Sequence, residues 1–276
     1  MSSANVVPVT DDPNARPPLD RDRLSDAGPG LAVEVVDVAA STNALVAARA
    51  REGADEGLVV VAEHQTAGRG RLDRSWETPP RAALTFSVLL RPAAGPEQWP
   101  WLPLLTGYAV GSALRDAGFD AGVKWPNDVL IGDLKVAGIL VERVDTPSGP
   151  AAVVGVGLNV STTAEELPVQ TATSLALAAG DAPDRTTLLL ALLARLREEY
   201  DAWQGGAGDL RASYTRACVT VGRDVRVDLP GGATLTGRAT GLDAGGRLTV
   251  RPDTGTDPAE TAVGAGDVVH VRVADR

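Results

Sequence analysis

Residues 124–143 read KWPNDVLIGDLKVAGILVER, and they decide the architecture. Two apolar runs flank Gly132-Asp133, the kind of two-residue turn that joins antiparallel strands, so the stretch predicts a tight hairpin. Ahead of it, Pro126 stiffens a turn that presents Lys124, Asn127 and Asp128 at the end of a strand. The hairpin brings Lys124 and Lys135 toward the same end of a sheet. Gly138 removes side-chain bulk beside Lys135, which suits a lysine facing a pocket. Taken alone, such a lysine is more often a solvated strand-end charge.

Upstream, residues 64–76 read HQTAGRGRLDRSW and pack Arg69, Arg71 and Arg74 into six residues, with Gly68 just before them and Gly70 among them. Glycines let backbone N–H groups approach a ligand closely, and guanidinium forks hold carboxylate or phosphate oxygens in pairs. This is a local anion site whose spacing does not name the anion. On composition alone, a solvated basic loop is the equal alternative.

The flanking sequence supplies a mixed α+β frame. LAVEVVDV, from Leu31, reads as a strand, and Ser41-Thr42-Asn43 offers caps to a helix that stops near Gly53. LVVVAE at 58–63 reads as a buried strand. In ALTFSVLLR, Leu84, Phe86, Val88 and Leu90 alternate as on a half-buried one. Trp101, Leu104, Leu105 and Tyr108 fall on one helical face, which predicts core packing rather than an aromatic ligand box. AAVVGVGLNV predicts another strand. A Ser/Thr-rich loop and a helix carrying Leu189, Leu192, Leu193, Leu196, Tyr200 and Trp203 follow. From Arg223 onward, short strands alternate with PGG and DAGG turns, as in a small β-barrel. The expected division is a disordered leader over 1–30, rich in Pro, Asp and Arg, a main domain over 31–215 and a barrel over 216–276.

Bulk properties bound the chemistry. The 276 residues contain no apolar run of the roughly 18 residues a membrane span requires. The amino terminus lacks the basic and apolar regions of a signal peptide, so a soluble, cytoplasmic protein is expected. One cysteine, Cys218, excludes an internal disulfide framework, and two histidines leave little for zinc. A formal net charge of −10 argues against the broad basic footprint of nonspecific DNA binding. The motifs contain no Ser/His/Asp arrangement that would make a nucleophile, so catalysis would rest on positioning and charge neutralisation.

Together, Ser41-Thr42-Asn43, the GRGRxxRxW loop, KWPND with K-x-x-G-I-L-V-E, and the GVGLN strand resemble the biotin–protein ligase family, in the same order and with matching separations. The likeness is to the monofunctional type without an amino-terminal DNA-binding domain. It implies a class II synthetase-like catalytic domain, a mixed β-sheet backed by helices, with a carboxy-terminal SH3-like β-barrel. It further implies two steps: biotin and MgATP form biotinyl-5′-AMP, and a lysine of a biotin carboxyl carrier domain then attacks it. By the same resemblance, Ser41, Thr42, Asn43 and Gln65 bind the biotin head group. Arg69, Gly70 and Arg71 close over biotin and adenylate, and Arg71 and Lys135 stabilise charge as the carboxylate attacks the α-phosphorus. Arg74 and Lys124 face the phosphates, Trp76 stacks near adenine, Asn127 and Asn159 contact adenylate or ribose, and Asp128 is the magnesium candidate. The loop at 160–175 occupies the place of a second segment ordered over the adenylate. Asp73 departs from the family loop, which usually has a glycine there.

Rival readings are a lipoate or octanoate ligase or transferase, a biotin-responsive transcriptional regulator, and a noncatalytic biotin-binding adaptor. The GRGR loop and KWPND favour biotin. The Pro-rich first 30 residues show no pair of amphipathic helices for a helix-turn-helix. Arg71, Lys124 and Lys135 argue against an adaptor. A monomer or weak homodimer, without DNA or membrane partners, is the expectation.

Overall fold

Strand residues of opposite parity feed two different cores, which fixes the layering. Val59 and Val61 on one strand, with Leu84, Phe86, Val88 and Leu90 on another, pack into a large core with helix residues Leu102, Leu105, Leu189, Leu192 and Leu196. Their neighbours Leu58, Val60 and Leu89 turn the other way and pack with Val46 and Ala50 of a different helix. A sheet buried on both faces follows from this alternation.

The computed structural model describes residues 16–72, 74–229, 231–253, 259–264 and 267–270. Its elements in the first part of the chain are α1 (Arg21–Leu24), β1 (Ala32–Ala39), α2 (Thr42–Arg51), β2 (Leu58–Gln65), β3 (Gly68–Arg69), β4 (Ser75–Trp76), β5 (Ala83–Leu90) and α3 (Trp101–Asp116). There follow β6 (Ala121–Lys124), β7 (Asp128–Ile131), β8 (Leu134–Thr146), β9 (Gly149–Asn159), α4 (Leu175–Ala179), α5 (Arg185–Gln204) and α6 (Leu210–Ala217). The last strands are β10 (Asp224–Asp228), β11 (Thr234–Leu242), β12 (Leu248–Pro252), β13 (Thr261–Val263) and β14 (Asp267–His270).

Seven strands form one mixed sheet in the order β1-β2-β5-β9-β8-β7-β6. The β1–β2 pair, joined through α2, is parallel, and the remaining neighbours are antiparallel. Helices α3 and α5 back one face, and α2 covers part of the other. The 132–133 hairpin forms as expected, with Gly132 at φ +60° as the first turn residue, the position that favours glycine in a two-residue hairpin turn. The second sheet is five-stranded and antiparallel, in the order β13-β12-β11-β10-β14.

Three expectations need correction. All eight residues of β5 are buried, not one face only, because helices or polar site residues cover both sides of the strand. Within the leader, residues 16–30 are structured: α1 forms, and Leu19 and Leu24 enter the main core at 4% and 1% exposure. Apolar leucines and a buried ion pair anchor this segment despite its polar composition, whereas residues 1–15 lie outside the described residues. The boundary at 215/216 falls inside α6, and Tyr214 of that helix shares one core with Val225 and Val250 and with Trp101, Val123 and Trp125 from before the boundary.

Candidate active site

The free part of the α2-bearing face of the sheet forms a cleft of about 370 Å³, floored by strands and rimmed by loops. That volume suits a small-molecule site. Glycines keep the floor low. A Cβ on Gly155 would stand 2.2 Å from Asn43 Oδ1, and one on Gly157 would stand 2.4 Å from Trp76 Cε2. Gly138, paired with Gly157 across β8 and β9, would press a Cβ against Lys135 Nζ at 3.0 Å and Trp76 Cζ3 at 3.2 Å.

At the α2 end, the Ser41-Thr42-Asn43 turn does two jobs. Ser41 is the N-cap, its Oγ accepting from Ala44 N–H at 3.5 Å, and it also lines the cleft. The Thr42 N–H donates to Gln65 Oε1 at 2.7 Å, and the Thr42 hydroxyl donates to the same oxygen at 3.1 Å. Asn43 Nδ2 donates to Glu142 Oε2 at 2.6 Å and to the Leu140 carbonyl at 3.3 Å.

The GRGR stretch is a miniature hairpin in which β3 pairs with β4, Gly68 opposite Trp76 and Arg69 opposite Ser75. Only glycine fits at 68, where a Cβ would stand 2.3 Å from the Trp76 carbonyl oxygen. The turn places Leu72 at φ +55° with its side chain exposed. Arg69 pairs with Glu142 at 3.1 Å, and Arg71 donates to Asn127 Oδ1 at 2.9 Å. Asp73 lies outside the described residues. The opposite rim comes from the KWPND turn, which contains a cis Trp125–Pro126 bond. Asn127 is clamped to β8 through its Nδ2, which donates to the Ile139 carbonyl, and its own carbonyl, which accepts from Ile139 N–H.

Lys135 reaches the cleft because of a bulge. Gly138, Leu140 and Glu142 of β8 point to the cleft side, and Ala137 and Ile139 to the α3 core; strict alternation would send Lys135 into that core. Instead, Val129 pairs with Ala137 and Leu130 with Lys135, leaving Val136 as the extra residue, and Val136 is buried in the core with Ala137. Lys135 Nζ then lies 2.7 Å from Asp128 Oδ1 and 5.6 Å from the Trp76 ring centroid.

The structure therefore brings Ser41, Thr42, Asn43, Gln65, Arg69, Gly70, Arg71, Arg74, Trp76, Lys124, Asn127, Asp128 and Lys135 around one cleft. Asn159 is the exception and corrects the expectation. It is 5% exposed, does not line the cleft, and donates Nδ2 to the Thr173 carbonyl, tying β9 to the 160–175 loop. That loop runs beside the site. Lys135 N–H donates to the Thr171 carbonyl, and Thr173 N–H donates to the Lys135 carbonyl.

Sequence reasoning missed several contributors. Ser87 and the Gly155–Gly157 pair sit inside apolar strands, where a lone serine and alternating glycines are the available signals. Asp228, Val268 and Val269 of the carboxy-terminal sheet also line the cleft, a long-range contact with no local signature. That sheet is docked on the KWPND turn: Trp125 Nε1 donates to the Gly246 carbonyl at 3.0 Å, and Trp125 N–H to Thr220 Oγ1 at 3.2 Å. Thr220 Oγ1 lies 3.1 Å from His270 Nε2. Burial, together with Lys124 and Arg223, lowers the His270 pKa from 6.5 to about 4. Cys218 is buried in the second core, and burial pushes its thiol pKa up, which suits packing rather than nucleophilic attack.

Among the described residues, no group of three or more His, Cys, Asp or Glu is placed to hold a metal ion. No described helix is long and apolar enough to cross a membrane.

A model described as the biotin/lipoate A/B protein ligase family matches residues 35–159, and the biotin protein ligase C-terminal domain matches residues 220–271. The biotin–[acetyl-CoA-carboxylase] ligase of Mycobacterium tuberculosis is 42% identical over 275 residues, covering 96% of this chain and 100% of that protein. The bifunctional ligase/repressor BirA of Escherichia coli is 34% identical over 229 residues, 81% of this chain and 70% of that protein. Among solved structures, the biotin protein ligase from Aquifex aeolicus in complex with biotin and ATP superposes with a TM-score of 0.75 at 27% identity, covering 87% of this chain and 99% of that one. With 42% identity along the full length of a biotin ligase and both family segments in place around one cleft, the chain belongs to the biotin protein ligase family.

Proposed function

We propose that this protein activates biotin with ATP to biotinyl-5′-AMP and transfers the biotinyl group to a lysine of a biotin carboxyl carrier domain of a carboxylase. The observation that carries this reading is the convergence on one cleft of the Ser41–Asn43 and Gln65 floor with Arg69, Arg71, Arg74, Lys124 and Lys135. The neutral floor suits a polar, uncharged head group. The cations suit a carboxylate and a nucleotide phosphate, which repel each other unless neutralised.

In the first step a biotin carboxylate oxygen bonds to the α-phosphorus and pyrophosphate leaves. Arg71 and Lys135 neutralise the charge gathered there, while Arg74 and Lys124 face the phosphates. Arg71 is pre-set for this by Asn127, and Lys135 by Asp128 and the Trp76 face. In the second step the carrier amine attacks the acyl carbon, a proton is lost from nitrogen, and AMP departs. No enzyme-linked intermediate is required, consistent with a buried Cys218.

Magnesium would arrive with the nucleotide. The two carboxylates lining the cleft are already paired, Asp128 with Lys135 and Asp228 with Arg226, which fits an ion held mainly by phosphate oxygens and water rather than a protein cage. Trp76 is proposed to stack near adenine from its place over Gly157. A cytoplasmic monomer or weak homodimer without DNA partners completes the proposal.

Mass spectrometry of a purified carrier domain incubated with the protein, MgATP and biotin tests it, with lipoate and octanoate in parallel. A mass gain with biotin and ATP alone is the expected result. A gain with lipoate or octanoate, or none with biotin, overturns it.

A further inference from the structure

We infer that Glu142 and Ser87 act as positioning residues that fix the hydrogen-bond polarity of the biotin-binding floor. The inference rests on the function proposed above and deepens it.

A continuous run of polar contacts links Glu142 to Gln65. The Glu142 carboxylate, paired with Arg69, accepts a hydrogen bond from Asn43 Nδ2 at 2.6 Å. That contact orients the Asn43 carboxamide, because turning it over would set two oxygens against each other. The second Nδ2 proton goes to the Leu140 carbonyl, and Asn43 Oδ1 faces Ser87, whose hydroxyl donates to it at 2.6 Å. The single Ser87 proton is shared with Thr42 Oγ1, which accepts at 2.7 Å. Thr42 in turn gives its N–H and its hydroxyl to Gln65 Oε1. With that oxygen held, Gln65 has its Nε2 donors left for the cleft that it lines. The carboxylate at the far end thus sets the sense of the Asn43 carboxamide and of the Ser87 hydroxyl, next to a Gln65 that the Thr42 backbone N–H holds with its donors toward the cleft.

Burial makes the arrangement costly to disturb. Ser87 is fully buried and Asn43 is 4% exposed, so a misdirected amide or hydroxyl there has no water to turn to. Ser87 does not line the cleft, so any effect it has on a ligand runs through Thr42 and Asn43. Glu142 performs a second task by tethering Arg69, which joins the GRGR hairpin to the floor. Both Glu142 and Ser87 lie on strands, β8 and β5, whose registers the sheet fixes.

The test is titration calorimetry of biotin and, separately, of ATP with the full-length wild type, Glu142→Gln, Ser87→Ala and the double variant, alongside thermal melting. Glutamine keeps the shape of Glu142 but can present either an acceptor or a donor to Asn43, so polarity is no longer imposed. Each single substitution should weaken biotin binding about tenfold, the scale of one buried hydrogen bond to a charged group, and leave ATP affinity within about twofold. Because the two residues act through one relay, the double variant should lose far less than the product of the single losses.

Multiplicative losses, equal losses for biotin and ATP, or biotin affinity within about twofold of wild type would each overturn the inference. If the wild type binds biotin yet labels no carrier, the proposed function fails while the relay is still decided by these affinities; if it binds no biotin, both fall.

Discussion

Gly157→Ala would place a methyl where the Trp76 indole now lies. The new Cβ would stand 2.4 Å from Cε2, 2.6 Å from Nε1 and 2.8 Å from Cζ2, three contacts that no side chain sustains. Restoring a carbon contact of about 3.5 Å requires the ring to retreat by roughly 1.1 Å or more. The floor is a strand of the central sheet, and the indole sits on the two-residue strand β4, so the hairpin yields rather than the sheet. Overpacking costs about 1–3 kcal/mol, and a mobile partner favours the low end, so ATP affinity should fall roughly tenfold. Calorimetric titration with ATP measures the loss, and thermal melting should show little change. In a Trp76→Ala background the methyl has no ring to displace, and Gly157→Ala should then cost less than half as much. Equal losses in both backgrounds, or none in the native one, would refute the reasoning that Gly157 exists to seat Trp76.

Other perturbations probe the charges and the frame. Arg71→Ala should impair both formation and retention of biotinyl-5′-AMP, and Lys135→Ala should slow its formation by about two orders of magnitude or more, the scale for removing one preorganised charge-stabilising donor; single-turnover adenylate synthesis reads both. Glu63→Ala would leave Arg185 buried at 7% exposure without the carboxylate now 2.7 Å away, a loss of about 3–5 kcal/mol visible in urea denaturation. The imidazole of His270 titrates at about 4 when folded against 6.5 ordinarily, so the unfolded chain binds this proton more readily. Its contribution to stability is complete above pH 6.5 and is lost progressively toward about pH 4. His270→Gln should flatten that part of the stability–pH profile.

The fold was legible where periodicity or turn chemistry carried it. Gly132-Asp133 announced its hairpin, and Leu84, Phe86, Val88 and Leu90 do share one core. What alternation on β5 concealed was the opposite face, since Thr85 and Ser87 are polar and yet fully packed against α2 and the site. A polar residue in a strand reads as solvent-facing unless its buried partner, here Thr42, is known. The order in residues 16–30 was illegible for the same reason: the buried ion pair between Glu63 and Arg185 that receives Leu19 N–H joins positions far apart in sequence. Asn159 shows the converse error, because a motif asparagine looked ligand-facing and proved to hold the Thr173 carbonyl.

The spacing of Lys135 and Gly138 shows how local sequence and global register combine at this site. Three residues apart, they belong on opposite faces of an ideal strand, whereas the chemistry needs both on one face: the glycine low in the floor, the lysine above it. The bulge at Val136 resolves the conflict by spending one residue on the α3 core, so that Lys135 turns back to the cleft without a break in β8. Beyond the bulge, regular alternation carries Gly138, Leu140 and Glu142 along the same side. A single strand therefore places the cation at the rim, clears the floor beneath Trp76 and sets the carboxylate that orients Asn43. Regular pairing of β8 with Val136 kept in register would instead swing Lys135 into a core lined by Ala137 and Ile139. The odd spacing of Lys135 and Gly138 points to the bulge once both residues are known to face the cleft.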